Sequence, residues 1–405
     1  MQTDEATRSR ALQITQDFVP RMGKAYAAGR NHDRGPGRHR DVSQLSAHVR
    51  RRLITEQELV AAALDHHGAG AAEKFIQEVL WRGYFKGWLE QRPQVWAHYV
   101  SGLDADLAML DRDDALRARV EAAERGETGL ACFDAWAREL IETGYLHNHA
   151  RMWFASIWIF TFRLPWRIGA DFFLRHLLDG DPASNTCSWR WVAGLHTRGK
   201  AYEAKAWNIA KFTGNRFTPR ENDLATDVIG LEDQEPGGLP EIVPLRSCTP
   251  PWRDVPTALV LTEEDCRLED FDLLSIDIRG AVMLQSSHLR SPRTVAGHVS
   301  DFEAGALRDA ADRIGHPAVE LRADAPEGLA LWAEQIGAQQ IAMPYVPTGP
   351  LADWITRARP ALEARGIVLT EWQREWDRLI WPHATAGFFK VKKKIPQILR
   401  TTGLT

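Results

Sequence analysis

The sequence predicts two parts of different fold class, an all-α part followed by an α/β part with a doubly wound parallel sheet. Helical periodicity runs from Ala6 to Lys211, and no convincing alternating strand interrupts it. From Thr257 onward, short apolar runs alternate with helical patterns, which is typical of a parallel sheet covered on both faces. An acidic stretch rich in Pro and Gly separates the two parts and indicates a linker. The predicted domains are residues 1–221 and 257–405, with the linker at residues 222–256.

Helix signals are clearest at two places in the all-α part. Thr55, followed by Glu58 and an apolar run, is a capping-box pattern, which predicts that a helix begins there. Around Tyr145 the apolar residues keep the 3.6-residue spacing of a helix. The apolar stretch Met152–Phe162 is too short to span a bilayer, so we expect no membrane segment.

The α/β part predicts strands and helices in alternation. The expected strands are residues 258–262, 281–285, 318–321, 340–343 and 366–369, and the expected helices are residues 301–314, 326–336 and 351–365. The sequence contains no Gly-x-Gly-x-x-Gly or phosphate-loop motif in this part. The pattern therefore indicates a parallel sheet without either of these nucleotide-binding fingerprints.

Composition excludes several classes of protein. The chain has 405 residues, of which 44% are hydrophobic and 26% charged, and this balance excludes low-complexity disorder. The four cysteines have no paired metal spacing and Met1–Glu5 show no secretory signal, so we expect a cytoplasmic location. Residues 1–220 carry 31 Lys and Arg against 26 Asp and Glu, whereas residues 221–405 carry 19 against 28. We therefore expect the two parts to have different partners.

A group of polar residues lies within otherwise apolar helical sequence. It comprises Asn148, Arg151, Asp179, Asp181 and Asn185. An unpaired buried polar group costs about 1–3 kcal/mol, so these side chains must pair with each other or with a buried polar ligand. Caps and salt bridges inside a helix bundle are the alternative, and the spacing alone does not choose between the two.

His147 and His149 invite a nuclease or metal interpretation. Positions i and i+2 of a helix point to different faces, however, and no second ligand pair with supporting spacing follows. We therefore expect no metal site.

Six motifs occur in a fixed order through this region. They read Glu78-Val-Leu-Trp-Arg82, Thr128-Gly129 with Asp134-Ala135, His147-Asn-His-Ala-Arg-Met152, Pro165-Trp-Arg-Ile-Gly169, Asp179-Gly-Asp-Pro-Ala-Ser-Asn185 and Trp189-Arg-Trp191. Together they resemble the FAD-binding helical domain of the photolyase/cryptochrome family, and the match runs over residues 26–217. The resemblance implies an all-α, photolyase-like FAD-binding domain.

The resemblance assigns a set of residues to FAD. They are Tyr26, Ser43, Gln44, Leu45, Ser46, Arg82, Asn148, Arg151, Asp179, Asp181 and Asn185. Hydroxyls and free backbone N–H groups at a helix start suit a pyrophosphate, although Val42 stands where the family has a Thr. Asn185 would face flavin N5, where a neutral amide stabilises a reduced anionic flavin without adding a second negative charge.

The resemblance also implies a partner, DNA that contains pyrimidine dimers. The implied DNA and lesion contacts are Arg30, Glu78, Trp81, His149, Met152 and Trp191. Glu78 would hold the thymine edge, and aromatic faces would receive the flipped bases. A group of cations near the phosphate segment could follow a DNA backbone, with a solvated charged face as the alternative. This group is Arg21, Lys24, Arg30, Arg34, Arg38, Arg40 and Arg50-Arg-Arg52.

Electron transfer in the family uses a chain of tryptophans. Trp189 and Trp166 match its inner and middle members, so the residues expected to act in the reaction are Glu78, Trp166, Trp189 and Asn185. No Trp stands near Asp113, where the outer member is expected. The candidates to replace it are Trp153, Trp158 and Trp136.

The α/β part resembles the family's Rossmann-like antenna domain, relocated to the C-terminus. This match is carried by Ala258–Leu268, Val319–Ala323, Ile341–Thr348 and Leu379–Lys394. It leaves open whether a folate, a deazaflavin or no second chromophore binds. The Lys390–Lys394 run is expected to be a surface tail.

The resemblance favours a light-dependent DNA repair flavoprotein, similar to deoxyribodipyrimidine photolyase, that splits pyrimidine dimers by electron transfer from reduced FAD. The alternative is a cryptochrome-like blue-light photoreceptor that binds FAD without repair activity and signals to a protein partner. A third interpretation is a flavin-binding relic with neither role. We expect a monomer that does not associate with membranes.

Overall fold

The computed structural model describes residues 6–197 and 199–404, and the chain forms two compact units that are interleaved in sequence. The α/β unit comprises Met1–Gly23, Leu45–Gln91 and Pro244–Thr405, and the helical unit comprises Lys24–Gln44 and Arg92–Val243. The expectation drawn from Met1–Glu5 lies outside the described residues. No helix in the described ranges is both long and apolar enough to cross a membrane.

The part of the chain before the sheet is helical, as the sequence predicts. Its helices are α1 (Arg8–Phe18), α2 (Lys24–Gly29), α3 (Ser46–Arg50), α4 (Glu56–Glu90), α5 (Pro93–Leu110), α6 (Asp114–Arg125), α7 (Ala131–Thr143), α8 (Asn148–Ser156), α9 (Trp166–His176), α10 (Pro182–Val192) and α11 (Ala206–Phe212). Among the described residues, no strand precedes Pro256. The all-α class of this part is confirmed.

The remaining part contains a five-stranded sheet in which all neighbouring strands are parallel. The strands are β1 (Pro256–Thr262), β2 (Asp277–Gln285), β3 (Ala318–Arg322), β4 (Gln340–Pro344) and β5 (Val368–Trp372), in the order β3-β2-β1-β4-β5. The helices are α12 (Gly297–Ile314), α13 (Glu327–Gln335), α14 (Pro350–Glu363), α15 (Glu375–Ile380), α16 (Phe389–Lys392) and α17 (Ile395–Thr401). The predicted α/β class is confirmed. Strand β5 begins two residues later than expected, because Gly366 forms the turn before it with a left-handed φ of 67°.

Alternate residues of β1 face two different helical layers. Ala258 and Val260 belong to a core cluster that includes residues of α13 and α14. Leu259 and Leu261 are buried outside that cluster, and α12 packs against β1 and β2. Because side chains alternate along a strand, the sheet is covered on both faces, as a doubly wound sheet requires.

Helix α4 begins with the predicted capping box. The Thr55 hydroxyl accepts a hydrogen bond from the Glu58 backbone N–H at 3.2 Å, and the Thr55 N–H donates to the Glu58 carboxylate at 2.9 Å. Gly68 interrupts the helix with a φ of 68°. Further on, a Cβ added at Gly87 would lie 2.6 Å from the Cα of Trp381. Glycine at this position therefore lets α4 approach the chain that follows α15.

The predicted domains and the compact units divide the chain differently. Residues 257–405 fall entirely in the α/β unit, and residues 92–221 fall entirely in the helical unit. The segment Leu45–Gln91 belongs to the α/β unit although it is helical. The prediction grouped residues by secondary structure, whereas the units follow contacts, and the predicted boundaries stay a prediction.

A buried network of ion pairs joins the segment before α4 to the turn after β1. Arg50 donates to the two carboxylate oxygens of Glu264 at 2.6 and 2.9 Å. Arg52 donates to Asp265 at 3.0 Å and to both oxygens of Asp377 at 2.7 Å. Charge-assisted contacts of this kind compensate the loss of water around buried charges.

Arg51 lies in the same network, and its Nη2 atom is 2.9 Å from Glu263. Burial opposes ionisation of Glu263, but the guanidinium groups of Arg290, Arg51 and Arg50 outweigh burial and lower its pKa to about 2. Arg50, Arg51 and Arg52 are all buried. The expectation that these three arginines could follow a DNA backbone is wrong, because carboxylates of the same unit enclose them.

The Lys390–Lys394 run is also not a loose tail. It forms α16 and the turn before α17, with Val391 and Ile395 buried. Apolar residues spaced three to four apart hold this segment against the unit and direct the lysines outward.

The network predicts that breaking a buried ion pair lowers the free energy of unfolding much more than breaking an exposed one. Asp377→Asn should lower the free energy of unfolding by about 3 kcal/mol, because it leaves the buried Arg52 guanidinium short of a carboxylate. Urea unfolding followed by circular dichroism measures this. Asp272→Asn is the control, since Asp272 pairs with Arg253 at the surface and should cost no more than about 0.5 kcal/mol. Equal costs for the two variants would contradict the assignment.

Candidate functional site

Arg151 and Asp179 form an ion pair in the helical unit. Arg151 lies on α8, and its Nη2 atom is 3.1 Å from each carboxylate oxygen of Asp179. Its Nε donates to the Leu146 carbonyl at 2.8 Å. Asp179 is buried, whereas the Arg151 side chain keeps 22% of its exposure. The two polar groups therefore pair with each other and leave part of the guanidinium accessible.

Asp181 and Asn185 stand at the start of α10. The Asp181 carboxylate accepts from the Ala183 N–H at 3.1 Å and from the Ser184 hydroxyl at 3.2 Å, so it caps the helix. One turn later, Asn185 Nδ2 donates to the Ala170 carbonyl at 2.8 Å. Its Oδ1 receives no hydrogen bond from a described residue. This fixed amide therefore retains an acceptor that suits a ligand N–H donor.

Three other predicted contacts lie at accessible positions of the helical unit. Asn148 is exposed at the start of α8, and Met152 is half-buried one turn later. Trp191 is half-buried and packs against Tyr202 with ring centroids 5.3 Å apart. Burial raises the pKa of Tyr202 to about 12, so its phenol stays protonated at neutral pH.

The two histidines of the His-Asn-His motif both turn into the helical unit. His147 Nε2 is 3.1 Å from the Arg30 carbonyl, and its Nδ1 accepts from the His149 N–H at 3.2 Å. Burial lowers the pKa of His147 to about 3 and also lowers that of His149. His149 stacks on Trp153 at 4.2 Å and contacts the Asn31 carbonyl through Nδ1 at 3.0 Å. These contacts do not support the predicted DNA contact of His149, which stays a prediction.

Sequence reasoning missed a buried trio of Asp33, His39 and Glu139, because up to 106 positions of sequence separate its members. His39 Nε2 is 2.8 Å from Glu139, and its Nδ1 is 3.8 Å from Asp33. Asp33 also accepts from Trp136 Nε1 at 2.9 Å and from the Arg216 guanidinium at 2.5 Å. Residues of these types can hold a metal. The Asp33 carboxylate is already engaged by Arg216 and Trp136, and we assign the trio a structural role.

Trp166 and Trp189, the two predicted electron-transfer residues, are both buried. Trp189 meets Trp158 edge-on, with ring centroids 6.4 Å apart. Trp166 lies 6.0 Å from Tyr99, which in turn lies 5.2 Å from Trp96. Aromatic neighbours on α5 were not predicted, because nothing in their local sequence marks them.

The three candidates for the outer tryptophan are not equivalent. Trp158 is a direct neighbour of Trp189. Trp136 and Trp153 instead stack on each other, with ring centroids 5.5 Å apart. Trp158 therefore neighbours the predicted inner member, but an outer member would have to follow Trp166, with which none of the three shares a ring contact among the described residues.

The α/β unit carries Glu78, Trp81 and Arg82 on α4. All three side chains are partly exposed. Trp81 stacks on Phe388 with ring centroids 4.2 Å apart and an interplanar angle of 14°. Arg82 Nη2 lies 3.5 Å from the Ser46 carbonyl at the start of α3. One face of Trp81 is thus covered by its own unit.

The predicted phosphate segment, residues 43–46, lies where the chain passes from the helical unit to the α/β unit. Gln44 has a left-handed φ of 56°, and α3 begins at Ser46. Ser43 and Ser46 are half-buried, and Leu45 is buried. Tyr26 lies on α2 and Arg30 just after it, both half-buried. The predicted FAD residues are therefore divided between the two units.

A family model described as "FAD binding domain of DNA photolyase" matches residues 75–220. A deoxyribodipyrimidine photo-lyase from Streptomyces griseus is 33% identical over 230 residues, covering 56% of this chain and 48% of that protein. The Escherichia coli (strain K12) deoxyribodipyrimidine photo-lyase is 32% identical over 153 residues, covering 37% of this chain and 30% of that protein. The crystal structure of a class III photolyase from Agrobacterium tumefaciens is 29% identical, with a TM-score of 0.43 over 51% of this chain and 43% of that chain.

These similarities concern one part of the chain. The chain spans about half or less of the length of these two curated relatives. Residues 75–220 match the family model of the FAD-binding domain of DNA photolyase, and the resemblance recognised in the sequence is confirmed.

The packing around Trp189 predicts a steric test. A Cβ added at Gly169 would lie 2.4 Å from Trp189 Cη2 and 2.9 Å from Trp158 Cε2. Gly169→Ala should therefore lower the free energy of unfolding by about 1–3 kcal/mol and alter the near-UV circular dichroism of the indoles. Gly70→Ala is the control: a Cβ there meets nothing within 4 Å, and the change should be neutral or stabilising. A neutral Gly169→Ala would show that α9 does not pack on these rings.

Proposed function

We propose that this chain binds FAD and, with the flavin reduced, splits cyclobutane pyrimidine dimers in DNA under blue light. The observation that carries the proposal is Asn185, whose amide is fixed by Ala170 while its Oδ1 stays free as an acceptor. It lies within the segment that matches the photolyase FAD-binding domain. The cytoplasmic location and the monomeric state expected from the sequence remain parts of this proposal.

The residues of the helical unit have the chemistry that a reduced flavin requires. Asn185 Oδ1 can accept the N5–H of the flavin without bringing a negative charge to it. Arg151 can present its accessible guanidinium edge to a polar ligand while Asp179 compensates its charge. The chemistry that FAD supplies when bound is donation of one electron and its recovery after both cyclobutane C–C bonds have broken.

The remaining roles concern the lesion. Glu78 would accept hydrogen bonds from the N–H edge of a thymine, and Trp81 would offer the part of its ring that stays exposed. Met152 and Trp191 of the helical unit would contact the flipped bases through their accessible surfaces. Trp189 and Trp166 would re-reduce an oxidised flavin as the inner and middle donors, and Trp158 lies beside Trp189.

A cryptochrome-like photoreceptor is the second candidate function. Two observations favour it. His149, one of the residues that the resemblance assigns to DNA, turns its side chain inward, and burial lowers its pKa. Phe388 covers one face of Trp81. Under this alternative the same flavin site drives a change in association with a protein partner.

Flavin binding should depend on the Arg151–Asp179 pair. Asp179→Asn should weaken FAD binding by about 1–3 kcal/mol, roughly a five- to 150-fold rise in Kd, because it leaves Arg151 without its counter-charge. Titration of the apoprotein with FAD, followed by flavin fluorescence, measures this. Asp106→Asn is the matched control, since Asp106 pairs with Arg167 elsewhere in the same unit and should leave the Kd unchanged. Equal effects would show that the ion pair has no specific role in flavin binding.

Repair is tested with an oligonucleotide that contains one defined cyclobutane thymine dimer. The purified, FAD-loaded and reduced protein should bind it in the dark and yield two thymines under blue light, as chromatography of the digested DNA measures. Glu78→Gln should lower the yield per absorbed light roughly tenfold through loss of a charged hydrogen bond. Asp65→Asn, an exposed change on the same helix, should not. A flavin-loaded protein that leaves the dimer intact, but changes its association state in light, would support the photoreceptor instead.

A further inference from the structure

The last part of the chain has an unusual charge distribution. Residues 378–405 contain six Lys and Arg and no Asp or Glu. The surrounding sequence is acidic, with 28 Asp and Glu against 19 Lys and Arg over residues 221–405. The cations are therefore concentrated at one end of an otherwise acidic part.

The fold holds this segment in place. Phe388, Val391, Ile395, Ile398 and Leu399 are buried, and their spacing of three to four residues puts them on one side of α16 and α17. The four lysines between Phe389 and Ile395 are left on the other side. Because the segment is anchored, the lysines form a fixed array rather than a mobile tail.

Most of this positive charge is not compensated. Lys390 donates to the Thr385 hydroxyl at 3.0 Å, and Lys394 contacts the Gln397 side-chain oxygen at 3.4 Å. Of the four lysines, only Lys392 has a carboxylate of the described chain within 4.0 Å, that of Glu73 at 3.5 Å.

Four exposed arginines of the α/β unit differ from these lysines in this respect. Arg253, Arg279, Arg308 and Arg322 are each at least half exposed and each face a carboxylate within 4.0 Å. A lack of local neutralisation therefore distinguishes the lysine array from these arginines.

Aromatic side chains accompany the array. Phe389 keeps 75% of its exposure, which is high for a large apolar residue. Phe388 stacks on Trp81, so the array is fixed beside the helix that carries Glu78 and Trp81. Lys392 reaches the same helix at Glu73. Uncompensated cations next to an exposed aromatic ring suit a nucleic-acid backbone and its unpaired bases.

We propose that Phe389 and the lysines 390, 392, 393 and 394 form a DNA-contacting surface, here called the C-terminal basic surface. The lysines neutralise backbone phosphates without reading sequence, and Phe389 packs against a base or sugar at the edge of the contact. The inference rests on the proposed function in taking DNA as the polyanion, but it concerns binding and not repair. It assigns to the α/β unit a role in holding DNA.

The test measures how DNA affinity depends on salt. Fluorescence anisotropy with a labelled duplex, with and without a thymine dimer, is recorded for the full chain at several salt concentrations. Replacing the four lysines by Gln should reduce the slope of log K against log salt by roughly three to four and lower the affinity at low salt roughly tenfold or more. Both duplexes should be affected alike. Phe389→Ala should weaken binding with little change in slope.

The matched control replaces Arg253, Arg279, Arg308 and Arg322 by Gln, which removes the same number of surface charges. This control should keep the wild-type slope, and thermal unfolding should show both quadruple variants folded. An unchanged slope for the lysine variant would overturn the proposal. The proposal would also be overturned if the wild-type protein bound no DNA at low salt. It would equally be overturned if the lysines were needed only for binding to anionic phosphatidylserine vesicles. Loss of the slope in a protein that repairs no dimer would support this surface and count against the repair function alone.

Discussion

Compensation of buried charge is the constraint on which the α/β unit depends. The acidic turn that follows β1 lies at the carboxyl edge of the sheet, where Glu263 and Asp265 are buried. Carboxylates at such positions are tolerated only when cations face them, and Arg50, Arg51 and Arg52 do so from the segment before α4. The Cys266 N–H also donates to the Arg51 carbonyl at 2.8 Å. The sheet therefore fixes the start of the long helix that carries Glu78, Trp81 and Arg82.

The same constraint shapes the helical unit and separates structural groups from groups available to a ligand. The Asp181 carboxylate caps a helix, and the Asp179 carboxylate pairs with Arg151. Asn185 differs, because only half of its amide is used within the unit. A buried amide that uses only one of its polar atoms within the protein is more stable when a ligand or water bonds to the other. Asn185 is therefore the physical basis for assigning a cofactor, because contacts within the protein explain most of the other buried polar residues.

The features that the sequence predicts correctly are those that depend on residues close together in the chain. The capping box at Thr55, the strands and the parallel sheet follow from spacing that a few adjacent residues define. The partners of Arg50 and Arg52 were not predictable, because Glu264 and Asp377 lie more than two hundred positions away. For the same reason the lysine run was interpreted as a tail. Its anchoring depends on Phe388 meeting Trp81, a contact that neither local sequence reveals.

The residues proposed to face the flavin and those proposed to face the lesion differ in how completely they match the chemistry proposed for them. Asn185 and the Arg151–Asp179 pair have the donors and acceptors that a flavin needs. On the lesion side, His149 is turned inward and Trp81 has one covered face. Electron transfer tolerates a wider range of contact geometry than base recognition, so such losses affect substrate binding before they affect flavin chemistry. A DNA-contacting surface on the α/β unit would compensate for weakened DNA contacts elsewhere in the chain. If this surface binds DNA, the chain is a repair enzyme with a rearranged binding surface. If it does not, the chain is a flavoprotein that does not act on DNA.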